Sequence, residues 1–526
     1  MKGDAVSADL ALTGGNVLTM NQSQPCAEAV AVKGDRIVKV GTNEEISQLI
    51  GKNTQVIRLK GKTVVPGFID THIHVADFGR LLMWLDLSVA GSITEMQNRL
   101  KERVQKTPKG KWLLGRGWDQ NRFAEQRFPM RSDLDAVSPD HPVVFYHQSG
   151  KVAVVNSKAL EVANVTRLTS VPEGGAVDRD ARTGELTGVM RDNATNLIWN
   201  AIPEPSEDEL SEAAGLACQK IVEAGITSVH WLVLSPTELA IIRKLHAQNK
   251  LLMHVYVIVP SNIIDNIKDF QLSPDSVLKI GGAVISADGY LASKTAALFQ
   301  PYTDGSANGK LFYTQEEMKN EAAKILKIGL QLVIHAMGDK AVDAALTTIE
   351  QVLKETTRKA PRNRIEQAAV LNQELIKRIK QLGVIVSVQP LVVASEFSVW
   401  SATEKLGAER ARWLYPLKIL LKKGIHVVGG SDCPMEPLSP LLGIQAVVTR
   451  EAFPEEQVTI DEALRIYTVH AAYSSGEENV KGSIEVGKTA DLTVLSNDPR
   501  NVLPNEIKDI TVKMTIVNGI VIYSTP

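Results

Sequence analysis

The chain has 526 residues, of which 44% are hydrophobic and 22% are charged, and its formal net charge is −2. This composition is typical of a soluble globular protein, and the charge gives no electrostatic reason to expect nucleic acid or an anionic membrane as a partner. Three scattered cysteines are too few for a disulfide framework or a zinc knuckle. Because neither a signal peptide nor an apolar run of about 18 residues is visible, we expect a cytoplasmic protein.

Short strands separated by turn dipeptides are predicted at both ends of the chain. Residues 1–63 contain runs such as LALTGGNVLTM and TQVIRLKGKTVV, and residues 480–526 contain GSIEVGKTADLTVLS and VKMTIVNGIVIYS. Both ends are all-β, whereas the middle of the chain is not. We therefore predict one composite, β-sandwich-like domain built from both ends, with a larger α/β domain inserted at residues 64–479.

Eight strand-like apolar runs alternate with amphipathic helical patterns in that middle part, which is typical of a parallel sheet. The runs are VVPGFIDTHIH, GITSVHWLV, LLMHVYVIV, VLKIGGAVISADG, LQLVIHAMGD, RIEQAAVL, GVIVSVQP and HVVGGSDCP. They predict a (β/α)8 TIM barrel, with an open doubly wound sheet as the alternative. Residues 75–220, between the first and second runs, are predicted to be largely an insertion that forms a lid.

Polar residues end several of the predicted strands, and barrel enzymes have their active sites at that face. The first run ends on His72 and His74, which point the same way because residues i and i+2 of a strand share a face. His335 ends the fifth run and Asp432 ends the eighth. Each alone is more simply explained as a structural residue. Together, three imidazoles and a carboxylate predict a site for Zn²⁺ or a similar metal, with room for water.

These motifs resemble the amidohydrolase superfamily, in the HIH that closes the first strand, the HAMGD of the fifth and the GSDCP of the eighth. More narrowly, the chain is similar to the amidohydrolase 3 branch, which includes N-substituted formamide deformylases. The stretches GRGWDQNRF and ADGYLASKTAALFQPYTD support this resemblance, which covers nearly the whole chain. It implies that His72, His74, His335 and Asp432 bind metal, and that Asp432 takes the proton from the hydrolytic water.

Three positions depart from the pattern of that family. Val284 in GGAVISADG occupies the position of a lysine that is often carboxylated and bridges two metals, and Gln367 in RIEQ occupies that of a histidine. Lys151 in SGKVAVVN likewise replaces a frequent histidine. Because valine has no donor atom and a glutamine amide is a poor zinc ligand beside imidazole, we expect one divalent metal, zinc before iron or manganese.

Four residues are predicted to bind substrate, and each has a plainer alternative. Lys151 is a candidate to bind a substrate carboxylate, to polarise a leaving group or, once carboxylated, to supply a ligand; otherwise it is a solvated surface lysine. Asp288 in ADGYLASK orients substrate or is a turn residue. Trp118 in GRGWDQ lines the pocket or belongs to the core. Gln367 lies beside the predicted metal.

The expected function is metal-dependent hydrolysis of a non-peptide C–N bond in a small molecule such as an amide, a formamide or a cyclic amide. Asp432 is then the general base. The alternative is a protein with a decayed site that binds a ligand without turnover, in a regulatory role. A homodimer is compatible with either function.

Overall fold

The computed structural model describes residues 7–267, 277–355 and 362–525. The chain forms two compact units, of which the smaller is Gly79–Ala213 and the larger comprises Met1–Phe78 together with Ala214–Pro526. The terminal sheets and the barrel both belong to the larger unit. The predicted limits of a separate β domain, at residues 63 and 480, therefore stay a prediction.

Eight parallel strands form the predicted TIM barrel in the larger unit. In chain order they are Phe68–Ile73, Ile226–Leu232, His254–Pro260, Leu278–Ser286, Gln331–Ala336, Arg364–Gln367, Ile385–Val388 and Val427–Gly429. Each strand pairs with the next one along the chain, and a parallel bridge from Ile73 to Cys433 brings the last run against the first. This sequential, nearly closed order confirms the barrel and is not the order of a doubly wound sheet.

The helices of the larger unit follow the barrel strands or connect the terminal strands. The α-helices that lie wholly or partly in this unit are Asn43–Ser47, Val75–Leu82, Glu207–Glu223, Pro236–Ala247, Gln315–Lys327, Asp339–Glu355, Gln373–Leu382, Pro390–Ser398, Ala402–Leu406, Ala408–Ala411, Leu417–Lys422, Pro440–Val448, Ile460–Ile466 and Val469–Ser474. Short 3₁₀ helices span Ser261–Ile267, Pro454–Glu456, Pro499–Asn501 and Pro504–Asp509. None of the described helices is both long and apolar enough to cross a membrane.

Strands from both ends of the chain share one sheet, because Leu492–Leu495 pairs antiparallel with Thr63–Pro66. The six-stranded sheet has the order Ile520–Ser524, Val512–Val517, Leu492–Leu495, Thr63–Pro66, Asn16–Leu18 and Cys26–Ala27. The four-stranded sheet has the order Arg36–Gly41, Ala29–Lys33, Leu10–Thr13 and Gln55–Arg58. Alternate residues of both sheets meet in one apolar core that includes Leu12, Val64 and Ile516.

The smaller unit is built on a mixed sheet of six strands. Their order is Gly175–Arg179, Leu186–Asp192, Val152–Val155, Val143–His147, Leu113–Trp118 and Leu85–Asp86. The helices of this unit are Ile93–Lys106, Arg131–Asp135, Ser157–Val162 and Asn196–Trp199, with a 3₁₀ turn at Asn193–Thr195. Two apolar clusters, one around Trp118 and one around Met190, form its core.

The run VVPGFIDTHIH is not the single strand that its apolar pattern predicts. It divides at Gly67, so that Thr63–Pro66 joins the terminal sheet and Phe68–Ile73 begins the barrel. A Cβ atom on Gly67 would lie 2.2 Å from Oγ1 and 2.7 Å from Cβ of the buried Thr227. The chain therefore passes from one sheet to the other at a point where no side chain fits.

Gly67→Ala should accordingly destabilise the fold. We expect the free energy of unfolding to fall by about 1–3 kcal/mol because the added methyl group overpacks a well-filled core. Gly215→Ala is the matched control, since no atom lies within 4 Å of its added Cβ. Denaturant unfolding followed by circular dichroism measures both variants, and equal midpoints would contradict the expectation.

Candidate metal centre

Three side chains converge where the first and eighth barrel strands end. Nε2 of His72 and Nε2 of His74 each lie 3.5 Å from Oδ1 of Asp432. The possible ligand atoms of the three residues all lie within 4.8 Å of one another. Two imidazole nitrogens and one carboxylate oxygen at such distances are a donor set suited to zinc and similar divalent metals.

A carboxylate behind His72 fixes the orientation of its ring. Nδ1 of His72 donates a hydrogen bond of 2.7 Å to Oε2 of Glu366, whose side chain is completely buried. Arg364, also completely buried, forms an ion pair with Glu366 from two residues away on the same strand. With Nδ1 held by Glu366, Nε2 of His72 faces Asp432, and Nε2 is the nitrogen that would bind a metal.

The ionisable groups of this cluster shift one another's pKa values. Burial opposes protonation of His72, but the carboxylates of Glu366 and Asp432 raise its pKa to about 10. Burial likewise opposes ionisation of Glu366, yet Arg364 and His72 lower the pKa of that carboxyl to about 2. The two histidines hold the pKa of Asp432 far below its usual range in the same way, against the effect of burial. Both carboxylates are therefore ionised, and the proton that His72 holds between them is one that a metal cation would replace.

His335 lines the same cavity but lies outside the compact group of three. Burial, followed by the charge on His72, lowers the pKa of its imidazole to about 4, so the ring is neutral. Neither ring nitrogen has a hydrogen-bond partner within the described residues, and Nδ1 lies 3.9 Å from Oδ1 of Asp288. Because buried polar atoms rarely lack a partner, this free imidazole fits the role of a further ligand.

A cavity of about 300 Å³ opens beside these groups. Leu232 and Val284 give it an apolar side, while Tyr290 and Tyr313 contribute hydroxyl groups. A cavity of this size and mixed lining suits a small molecule that carries one polar, reactive group.

Comparison with known proteins decides the family. The model of the amidohydrolase family matches residues 55–523. The chain belongs to the amidohydrolase family. It is 33% identical to YtcJ of Bacillus subtilis, an alignment that covers 97% of this chain and 98% of that protein. It is also 30% identical to the N-substituted formamide deformylase of Arthrobacter pascens, over 98% of each chain.

Solved structures agree with this assignment. A crystal structure described as an uncharacterized metal-dependent hydrolase from Pyrococcus furiosus superposes with a TM-score of 0.75 at 29% identity. The match covers 94% of this amidohydrolase and all of the archaeal chain. The predicted resemblance is thus confirmed for the family and for the fold.

Apolar packing surrounds Val284, where related amidohydrolases are expected to have a bridging lysine. Its side chain packs against a cluster that contains Leu232, Ile258 and Val333. Gln367 is buried, lines the cavity, and accepts a hydrogen bond of 2.8 Å from the hydroxyl of Tyr415. Its amide is therefore held in place at the wall of the cavity, and a contact of Gln367 with substrate stays a prediction.

Asp288 is tied to the backbone on both carboxylate oxygens. Oδ1 accepts a hydrogen bond from the N–H of Met337, and Oδ2 accepts from those of Gly338 and Ala297. Burial raises the pKa of this carboxyl to about 6, although the three N–H groups oppose that rise. These hydrogen bonds fit the alternative in which Asp288 is a turn residue, and a contact of Asp288 with substrate stays a prediction.

Two of the predicted substrate-binding residues belong to the smaller unit. Trp118 is completely buried, donates from Nε1 to the carbonyl of Phe145 at 2.8 Å and packs against Phe123. Because Trp118 is buried in this way, the expectation that it lines the pocket is corrected, and the residue belongs to the core. Lys151 is exposed at a turn, where the solvated alternative suffices, and a role for it in the site stays a prediction.

The ion pair of Arg364 and Glu366 was not predicted from the sequence. A signal was present, because RIEQ puts two charges in a run that must be buried inside a parallel barrel. Charged residues in such a strand have to be paired. Their partner His72 lies 294 residues before Glu366, so the pairing itself could not be read from the pattern.

Glu366→Gln should weaken metal binding. The amide keeps the shape of the side chain but loses the charge that orients His72, and we expect the affinity for metal to fall about 10- to 100-fold. The metal retained against graded chelator measures this fall, with circular dichroism to confirm that the variant is folded. Glu316→Gln, on an exposed helix position, is the control. Equal retention in both variants would refute the role of Glu366.

Proposed function

We propose that this amidohydrolase hydrolyses a non-peptide C–N bond of a small molecule, in an amide, a formamide or a cyclic amide. The convergence of His72, His74 and Asp432 on one point beside a cavity carries the proposal. The relative from Arthrobacter pascens, a deformylase of N-substituted formamides, supports this bond type, and the hydrolase from Pyrococcus furiosus supports dependence on a metal.

One divalent metal is proposed at this centre, held by His72, His74, Asp432 and His335. Zinc comes before iron or manganese because the set combines imidazole nitrogens with a single carboxylate. When bound, such a metal lowers the pKa of a coordinated water towards neutrality and polarises the scissile carbonyl group.

Asp432 is the proposed general base. Its Oδ1 lies against both imidazoles, which leaves Oδ2 as the oxygen to accept a proton from the attacking water. The same oxygen can then return the proton to the leaving nitrogen, since the carboxylate faces the cavity where the bond is broken. Asp432 thus moves one proton in each direction during a turnover.

Tyr290 is the proposed donor to the polar end of the substrate. Its ring lies over that of His335, with 5.3 Å between the ring centres, and its side chain lines the cavity. Burial, and then the carboxylates of Asp432 and Asp288, raise the pKa of its hydroxyl. The hydroxyl therefore stays protonated at neutral pH and can donate a hydrogen bond to an oxygen on which negative charge develops.

Metal content tests the number of ions. We expect about one metal per chain in protein purified without added metal, because Val284 and Gln367 offer no second bridge. Elemental analysis measures this ratio, and His72→Ala should lose the ion. Two ions per chain would contradict the single-metal proposal, and none after reconstitution would favour ligand binding without turnover.

Asp432→Asn tests the reaction. Release of formate from N-benzylformamide, or of amine from a panel of amides and cyclic amides, should be abolished by chelation in the unaltered protein. The variant should turn over about 10²- to 10⁴-fold more slowly because it lacks the base. Asp461→Asn, at an exposed helix position, should retain full activity. Turnover by Asp432→Asn at the unaltered rate would refute the assignment.

A further inference from the structure

The smaller unit contains a cavity of its own, with a volume of about 650 Å³. All of its lining residues lie within residues 79–213, so the cavity is a property of this unit alone. Neither the metal ligands nor the proposed base belong to it. The proposed hydrolysis leaves this cavity without a role.

Three aromatic rings form one wall of the cavity. Trp84 stacks on Tyr146 with 5.8 Å between ring centres and 19° between the ring planes. Trp199 contacts both, at 6.2 Å from Trp84 and 6.3 Å from Tyr146, and 40% of its surface is exposed. A wall of adjoining rings gives a flat ligand a large apolar surface on which to stack.

Two arginines give the cavity a positive charge. Arg116 and Arg122 both line it, and no aspartate or glutamate does. Arg122 donates one hydrogen bond to the carbonyl of Ser88, and its Nε lies 4.0 Å from Oδ2 of Asp119, which leaves other N–H groups of the guanidinium to bind a ligand. The guanidinium of Arg116 is exposed and makes neither a hydrogen bond nor an ion pair with the described residues, although Asp86 is close enough to interact electrostatically.

The backbone conformation of the GRGWDQNR motif explains why one of its side chains lies in the core and another lines the cavity. Arg116 and Trp118 are two residues apart in a strand and would normally point to the same face. A register shift between them, at Gly117 with φ 91°, breaks that alternation, so that Trp118 enters the core while Arg116 faces the cavity. GRGWDQNR thus positions two cationic side chains at the mouth of an aromatic recess.

His147 and Gln148 add polar groups on the same side. The backbone N–H of Ser149 donates to Nδ1 of His147 at 3.1 Å, and Nε2 of the ring lies 3.8 Å from Oδ1 of Asp119, beyond hydrogen-bond distance. Gln148 is held by a hydrogen bond of 2.6 Å from its amide to Oδ2 of Asp119. Asp119 already accepts a hydrogen bond from Gln148, and the N–H groups of the two arginines are the donors that recognition of an anion requires.

We propose that this cavity is a second ligand site, which binds a planar aromatic carboxylate. The ring of the ligand stacks on Trp84, Tyr146 and Trp199. Its carboxylate pairs with the planar guanidinium of Arg116, with Arg122 as the second cation, because the guanidinium fork matches a carboxylate bidentately. A neutral ring would satisfy only the aromatic wall, and a small inorganic anion would satisfy only the arginines.

The test is calorimetric titration of the full chain with 1-naphthoate, and with 1-naphthamide as the neutral probe of equal shape. We expect naphthoate to bind at least about tenfold more tightly than naphthamide, since a charge-assisted pair is lost in the amide. Arg116→Gln should weaken naphthoate binding about tenfold without affecting the amide. Trp199→Leu should weaken both ligands several-fold.

Two controls separate this site from others. Arg182→Gln changes an exposed arginine of the same unit that does not line the cavity, and it should leave both affinities unchanged. His72→Ala disables the proposed metal centre, and naphthoate should still bind as tightly as before. Binding that is lost in His72→Ala and kept in Arg116→Gln would mean that the carboxylate binds the metal, and the proposal would be wrong. No difference between naphthoate and naphthamide would also overturn it.

Discussion

The ion pair between Arg364 and Glu366, buried inside the barrel, is the interaction on which the candidate metal centre depends. Arg364 also donates to the carbonyl of Thr71 in the first strand and to Oγ of Ser387 in the seventh, so one side chain ties three strands together. Glu366 uses its other oxygen to hold His72. Removing either charged group would leave the other buried without a partner, which would lower the free energy of unfolding by about 3–5 kcal/mol. The network that joins the strands therefore also orients His72, the first of the proposed metal ligands.

Beside this charged network the barrel interior is apolar. Val284 packs against Leu232, Ile258 and Val333, and such a wall excludes water from one side of the centre. Charges interact more strongly next to apolar surface than in water, which favours a tightly held cation. At position 284 of the fourth strand the side chain therefore offers no donor atom to a second ion. An apolar wall beside one cluster of ligands supports the proposal of a single metal.

The sequence predicted those features that have a local period or a local motif. Apolar runs predicted the barrel strands, and the spacing of His72 and His74 predicted their shared direction. Asp432 was predicted because it follows the eighth apolar run, although it lies three residues beyond the strand Val427–Gly429, where no period applies. The contact of Glu366 with His72 was not predictable, because its partner lies far away in the sequence. The burial of Trp118 was not predictable either, because it depends on the register shift in its strand.

Backbone conformation, as well as side-chain chemistry, defines the centre. Asp432 and Gln367 have φ of 58° and 68°, a region in which a residue other than glycine costs on the order of 1–3 kcal/mol. Two backbone hydrogen bonds hold the loop that contains Asp432 against the first strand. The N–H of Asp432 donates to the carbonyl of His72 at 2.8 Å, and the N–H of His74 donates to the carbonyl of Cys433 at 3.0 Å. Because both bonds flank the ligands, the strain at Asp432 cannot relax without moving the histidines apart. The carboxylate is thus held at the imidazoles by the backbone, which fixes the geometry of the ligands before any ion binds.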